Sequence, residues 1–291
     1  MEPEYSFTLL AAQDMPVLHQ IFLNAFADYI VPIQLTEEQF YTKLKREGIE
    51  PAFCVGAYSG GKMVGFILTG LGEYQGKPTA YNAGTGVLPA HRGHHLTRKM
   101  YEVLLPKLRE SGLERGLLEV IQENEPALRS YKAIGFQVTR SLDCFRARKE
   151  ELLLSGTPPD DITITEVTKP DWATYRHLWD VEPAWQHTAS AISRSPDQKI
   201  ILEARDEQEE LTGYLVLFPK TGAIAQLAVA KDKREQGIGK ELLRNAVALT
   251  SAPALLLINV DAGAVSFKSF LKRRYFNRFL GQFEMELDLM R

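Results

Sequence analysis

Two short stretches of the chain have residue types and spacing suited to holding an anion. "GVLPAHRGHHLT" (86–97) and "LAVAKDKREQGIG" (227–239) each leave a strand-like segment, turn around Arg92 or Arg234, and run straight into an amphipathic pattern. A strand that ends in a Gly/Arg-rich turn and restarts as a helix aims main-chain N–H groups and the positive end of the helix dipole into the gap. Such a gap is a phosphate pocket. In the second stretch Arg234, Gly237, Ile238 and Gly239 read R-x-x-G-x-G without exception. In the first, Arg92 and Gly93 are kept, His94 follows, His95 stands at the first motif glycine, and Leu96 leads to Thr97 at the last. Main-chain N–H groups make most phosphate bonds, so His95 is expected to be tolerated there with a helical backbone. His91 and His95, four apart, have metal-ligand spacing only on a helix; Pro89 and Gly93 make the segment a loop, and no metal is expected.

The elements around these turns repeat. A linker-like run, "RKEELLLSGTPPDDI" (148–162), splits the chain into similar halves. Each half reads as a short strand, a helix, two strands around a polar turn, then strand, turn and helix, and finally a buried strand, a helix and a last strand. The offset is 142 residues from Arg92 to Arg234 and 140 from Phe136 to Phe276. The expected layout is an N-terminal domain over 1–150, a linker over 151–161 and a C-terminal domain over 162–291.

Composition narrows the function. Lys+Arg 34 against Asp+Glu 37 gives a net charge of −3, so nothing global draws the chain to nucleic acid or anionic membrane. The basic-aromatic run 267–279 reads as a helix C-terminus and core aromatics instead. No apolar run reaches membrane-spanning length, and "MEPEYS" is acidic where a signal peptide is basic, which predicts a cytoplasmic protein. Cys54 and Cys144 read as buried reduced thiols.

Strand, R-x-x-G-x-G/A, helix, strand, then Asn, Ala, Tyr and a closing Gly-Phe resembles the GNAT superfamily of acetyl-CoA-dependent N-acetyltransferases, here in two tandem copies. The resemblance implies an α+β fold: two GNAT domains, each a mixed, mostly antiparallel sheet flanked by helices and splayed in the middle. It implies acetyl-CoA as acetyl donor and direct transfer to a small-molecule or peptide amine, by a monomer or homodimer. The turns would hold the pyrophosphate, and the Val87 and Val229 amides would meet the thioester carbonyl.

The same resemblance assigns proton transfer. "LEVIQENEPALRSYKAIGF" (118–136) matches the bacterial ribosomal-protein N-terminal acetyltransferases, in which the residue at Glu119 acts as base and that at Tyr131 as acid, with Asn124 beside the cofactor. Asn124 and Tyr131 are seven apart and share a helix face. A phenol with a pKa of about 10 stays protonated at neutral pH and can donate to a departing thiolate. Asp28, Tyr29, Glu73 and Tyr81 fall where GNAT folds shape the acceptor pocket, and the two acids suit a cationic amine. In the second half the corresponding residues are Asn259, Ala264 and Leu271, none able to transfer a proton, and Tyr275 replaces Gly135 as if the helix end had drifted. Catalysis is therefore expected in the first half, with the second binding cofactor or serving structurally. The alternatives are a non-catalytic acyl-CoA-binding or sensing protein, or catalysis in the second half.

Overall fold

The computed structural model describes residues 4–291, which form two compact units. The N-terminal unit is 4–140 with 193–196 and 283–291; the C-terminal unit is 141–192 with 197–282. These are not the sequence halves. The final strand of the chain completes the sheet of the N-terminal unit, and the strand that ends the first half completes that of the C-terminal unit.

The N-terminal unit contains β1 (Ser6–Leu9), α1 (Met15–Ala25), α2 (Glu37–Glu47), β2 (Val55–Ser59), β3 (Lys62–Tyr74), β4 (Lys77–Val87), α3 (Leu96–Glu110), β5 (Arg115–Ile121) and α4 (Glu125–Ile134). β6 (Gln137–Arg148) then leads into the C-terminal unit: β7 (Ile162–Glu166), α5 (Trp172–Arg176), α6 (Ala189–Arg194), β8 (Ile200–Asp206), β9 (Leu211–Phe218), β10 (Ala223–Val229), α7 (Ile238–Leu249), β11 (Ala254–Asp261) and α8 (Val265–Arg273). β12 (Asn277–Asp288) ends the chain's regular structure.

In the N-terminal unit the sheet order is β1-β2-β3-β4-β5-β12. α3 covers one face because Leu96, Met100, Leu104 and Leu108 recur at helical spacing, and they pack with Val55, Ile67 and Leu118 of the sheet. α1 and α2 cover the other through Leu18, Phe22, Phe40 and Leu44. α2 is set by a reciprocal Thr36–Gln39 capping box and stopped by Gly48 at φ 73°. "FEMELDL" (283–289) alternates apolar and acidic residues, so β12 sends Met285 and Leu287, and the residue after it, Leu289, into the α3 core. Its acids face the other way: Glu284 pairs with Arg140, and Glu286 with Arg115.

The C-terminal unit repeats this plan in the order β6-β11-β10-β9-β8-β7, with α7 over a core that includes Phe145 and Ala147 of β6. Its first helix is short: α5 has five residues where α1 has eleven. Tyr175 stacks on Tyr214 with ring centroids 4.0 Å apart, and the chain leaves the helix soon after that contact. The linker is not free either. Leu152 and Leu154 pack on the α7 core, and Lys240 and Arg244 of α7 donate to the Ser155 and Leu154 carbonyls.

One feature of both sheets makes room for chemistry. β4 and β5 pair in parallel only from Thr79–Arg115 to Asn82–Leu118, and β10 and β11 only at Ala223–Leu256. Immediately beyond, each inner strand carries a bulge, at Ala83 in β4 and at Ala225 in β10, 142 residues apart. A bulge bends its strand away from its neighbour. Each sheet therefore opens into a V at the strand ends that precede the two turns.

Because β12 fills the N-terminal core, Met285→Ala is expected to destabilise that unit by about 2–5 kcal/mol, the range for truncating a buried large apolar side chain. Hydrogen exchange should then quicken across 96–110 and not across 238–249. Equal loss in both helices would contradict the assignment of β12 to the N-terminal core.

Candidate active site

Glu119 lies one residue past the last parallel pair, on the β5 wall of the N-terminal V. Its Oε2 accepts a hydrogen bond from the Tyr81 hydroxyl on β4, while Oε1 is buried without a partner among the described residues. Burial raises its pKa to about 8; the Tyr81 hydrogen bond and Arg140 oppose the rise, while the charges of Glu284 and Glu47 add to it. The result is a carboxyl poised between neutral and ionised near neutral pH, with one oxygen unoccupied.

Tyr131 is buried on α4 and reaches the β4 wall past the bulge. Desolvation raises its pKa to about 12, against the pull of the Thr85 and Asn82 side chains beside its hydroxyl. It stays a proton donor. Asn82 organises this wall: its Nδ2 donates to Thr85 Oγ1 (2.8 Å) and to the Tyr101 hydroxyl (2.7 Å), and its Oδ1 accepts from the Gly84 N–H (2.9 Å). Asn82 and Tyr101 carry no chemical signature in the sequence; only the bulge gives them their place.

Asn124 is first of all a helix cap, its Oδ1 accepting from the Ala127 N–H at 3.2 Å at the start of α4. Its Nδ2 stands 3.5 Å from the Tyr29 hydroxyl, which places Tyr29 at the same opening. The other two acids expected at the acceptor pocket are elsewhere engaged or elsewhere placed. Asp28 is held in a bidentate pair by Arg92 (2.6 and 2.7 Å), which keeps its carboxyl below the ordinary range. Glu73 is exposed opposite Pro78, nine residues before Val87 on β4, hence roughly 30 Å from the turn at ~3.3 Å per residue.

The anion turns differ from the sequence expectation in their backbone. His95 is not helical: it is the N-cap of α3 at φ 57°, in the left-handed region. The turn needs two left-handed positions, Gly93 (φ 83°) and His95, and its repeat needs the same two, Glu235 (φ 65°) and Gly237 (φ 95°). Each turn has glycine at only one of them. Gly239 answers to packing: a Cβ there would come 3.2 Å from the Phe270 ring. Thr97 holds the corresponding place in the first turn, where Ser130 replaces that Phe. Leu96 and Ile238 bury their side chains in the two cores, leaving only main-chain N–H groups for a ligand. His94 and His95 are exposed, while His91 Nδ1 is 3.1 Å from the Tyr5 hydroxyl.

The motif arginines also face protein. Arg92 Nε donates to the Val87 carbonyl (3.2 Å), and Arg234 Nε to that of Val229 (3.1 Å). The helix end likewise corrects the sequence reading. Tyr275 adopts φ 62° where Gly135 has φ 115°, and Phe136 and Phe276 both donate back to the residue five earlier, Tyr131 and Leu271. The motif residue drifted; the geometry did not.

The C-terminal V holds a cavity of about 830 Å³, lined in part by Val229, Arg234, Gly237, Gly239, Asn259 and Ala264. One part of its wall is a neutral chain: Trp179 Nε1 donates to the Tyr214 hydroxyl, which donates to Gln226 Oε1, whose Nε2 donates to the His187 carbonyl; Asp180, Glu182, Arg234 and Lys240 add charge elsewhere in the lining. At the position of Glu119, Asn259 accepts from Gln282 Nε2 at 2.8 Å. Trp185 is buried. The left-handed Gly237 and the N-terminal N–H groups of α7 at the cavity rim suit a phosphate group.

A model described as the acetyltransferase (GNAT) family matches residues 18–136 and 164–261. The mycothiol acetyltransferases of Catenulispora acidiphila and Thermobifida fusca are 29% and 33% identical over 131 and 125 residues, covering 43% and 40% of this chain. The matched stretch spans 40% and 39% of those relatives' own length. Solved structures share the fold. A tandem GNAT protein from the clavulanic acid biosynthesis pathway superposes over 98% of this chain and 99% of its own (TM-score 0.69, 16% identity). A GCN5-related N-acetyltransferase from Sphaerobacter thermophilus does so over 98% and 96% (TM-score 0.72, 15% identity).

His95→Gly is expected to stabilise the N-terminal unit by roughly 0.5–1 kcal/mol, the relief of a left-handed side-chain residue less the entropy glycine adds to the unfolded chain. A denaturant-midpoint measurement that shows destabilisation would mean the imidazole contributes more than its backbone strain costs.

Proposed function

We propose a function from the premise that the chain belongs to the acetyltransferase (GNAT) family. It carries two tandem GNAT folds, each a mixed sheet with flanking helices. In our reading it is an N-acetyltransferase that moves an acetyl group from acetyl-CoA directly to a primary amine, with the chemistry in the N-terminal unit. The observation that carries this is the placement of Glu119 and Tyr131 at the N-terminal V, against Asn259 and Leu271 at the matching places of the C-terminal one.

The thioester supplies the acetyl group; the protein's part is to bind, orient and move protons. Glu119, through Oε1, takes a proton from the amine directly or across one water. The Tyr81 hydroxyl, bonded to the other oxygen, steadies the carboxylate that forms once that proton has moved on. Tyr131 gives its proton to the departing sulfur, and burial suits it to the task because a dry phenol does not ionise beforehand. Main-chain N–H groups of Leu96 and Thr97, and of Ile238 and Gly239 in the second unit, are the groups we assign to the pyrophosphate, with the neighbouring residues Gly93, His94 and His95 shaping the first turn. The C-terminal unit, with its cavity, is assigned acyl-CoA binding without turnover.

Tyr131→Phe is expected to lower turnover on the order of 10²-fold or more while leaving the CoA affinity intact, read by steady-state kinetics on an amine panel. Unchanged turnover would leave Tyr131 a packing residue.

Glu119 gives two pH signatures. Its folded value of about 8 stands above the ordinary 4.5, so between those limits the carboxyl is protonated in the fold while it ionises in the unfolded chain. Wild type should lose stability relative to Glu119→Gln as pH rises through that window. Turnover should climb toward pH 8 in wild type and lose that limb in Glu119→Gln. Identical pH–rate profiles would remove Glu119 from the chemistry.

Gly237→Glu places a side chain and a negative charge at a left-handed position on the cavity rim. Calorimetry should then lose the C-terminal CoA site and keep part of the turnover. Complete loss of turnover in the folded variant would move catalysis to the C-terminal unit.

A further inference from the structure

Arg92 is nearly saturated by the protein. Its guanidinium makes four hydrogen bonds, to the Val87 carbonyl at the end of β4, the Ala25 carbonyl at the end of α1, and both oxygens of Asp28. A planar fork engaged on so many of its N–H donors has little left for a phosphate. It stands at a corner where three elements meet: the strand end, the helix end, and the segment that follows the helix.

We propose that Arg92 and Asp28 are positioning residues for the amine: the pair pins the segment after α1, and with it Phe26 and Tyr29, against the end of β4 beside the proton-transfer groups. The proposal rests on the reading of the N-terminal unit as an N-acetyltransferase. The pinned segment faces the site on independent grounds. Phe26 packs its ring on Phe22, Phe66 and Tyr29, fixing Tyr29 from one side, and the Tyr29 hydroxyl meets Asn124 on the other. Moving this short segment by an ångström moves Tyr29 by as much.

The second copy supplies the control. Arg234 bonds the Val229 carbonyl at 3.1 Å and pairs with Asp180 at 3.0 Å. Asp180 also follows the first helix of its unit, in the stretch 178–184 that walls the 830 Å³ cavity. Yet the connections differ: 64 residues separate Asp28 from Arg92 and 54 separate Asp180 from Arg234, and α5 has less than half the length of α1. An arginine bonded to the strand-end carbonyl and paired with an aspartate after the first helix persists across that difference, though Asp180 is held through one oxygen and shared with Lys231, so the contact is not a by-product of one connection. Exposure limits what the ion pair adds to stability, the Asp28–Arg92 side chains being 56% and 44% exposed. Placement of the segment beside the V is the common consequence.

The test is Asp28→Asn in the full chain, measured three ways. The KM for the amine that wild type accepts from a panel should rise on the order of tenfold, the scale of a small misplacement at a reacting centre. The KM for acetyl-CoA and the calorimetric affinity for CoA should stay within about twofold, and Asp28→Glu, which can still meet the fork, should recover part of the amine effect. Hydrogen exchange without ligand should quicken at the Tyr29 amide by about tenfold and stay unchanged across 37–47. A loss of CoA affinity with unaltered amine KM would make Arg92 a phosphate ligand and overturn the proposal. So would parallel losses in both constants, the mark of a general structural bolt, and so would unchanged exchange at Tyr29. A wild type that acetylates no amine, with the exchange difference present, would instead strike the acetyltransferase reading and leave the pin standing.

Discussion

Everything functional here depends on two parallel strands being prevented from pairing for their full length. β4 and β5 would otherwise continue as a buried parallel ladder, each N–H and C=O satisfied by its neighbour. The bulge at Ala83 ends that ladder, and the polar side chains around it replace the lost bonds: Asn82 takes the Gly84 N–H and ties Thr85 and Tyr101 together. Glu119 then meets Tyr81 of β4 before the bulge, while the Tyr131 hydroxyl lies beside Asn82 and Thr85. Glu119 Oε1 is buried there without a partner among the described residues, a placement that carries a desolvation cost. The C-terminal unit keeps the same bulge at Ala225, and the gap there is a cavity of about 830 Å³ with Asn259, Ala264 and Leu271 at the places of Glu119, Asn124 and Tyr131.

The backbone of the repeat is more faithful than its residues. Three left-handed positions recur in both units, as Gly93 and Glu235, His95 and Gly237, Gly135 and Tyr275, and in every pair only one member is glycine. A glycine-based motif therefore undercounts the turn. At each non-glycine member the left-handed conformation costs roughly 1–2 kcal/mol, which the surrounding helix caps and core must over-determine. Conversely, Gly239 fits the motif for a different reason, the Phe270 ring beneath it. Glycine in such a pattern records steric demand from whichever direction it comes.

Local spacing made much of the site legible. Glu119, Asn124 and Tyr131 fall within thirteen residues of one strand–helix unit, where strand and helix periods dictate which side chains share a face, and the two anion turns announce themselves by composition. What stayed hidden was contact across long separations. Asp28 looks like a free acid for a cationic amine until Arg92, 64 residues on, is seen to hold it. Glu73 looks like a pocket residue until the β3–β4 register puts it at the closed end of the hairpin. The exchange of β6 and β12 is hidden for a similar reason. "FEMELDL" alternates well enough to finish either sheet, and alternation names a face but not a neighbour.

That exchange reaches into the chemistry. Glu284, on the part of β12 that belongs to the N-terminal unit, is gripped by Arg140 at 2.8 Å through both oxygens, and Tyr74 hydrogen-bonds the same carboxylate at 3.3 Å. The pair is buried, so removing either member would leave an uncompensated charge within the field that Glu119 feels. Glu284 pushes the Glu119 pKa up and Arg140 draws it down. The acid–base poise of a residue in the first half of the sequence is thus trimmed by a residue from its last tenth. A fragment ending before β12 would lack both an apolar wall of the N-terminal core and one of the charges that sets the Glu119 pKa. The two halves of the sequence resemble each other closely, but neither contains a whole core.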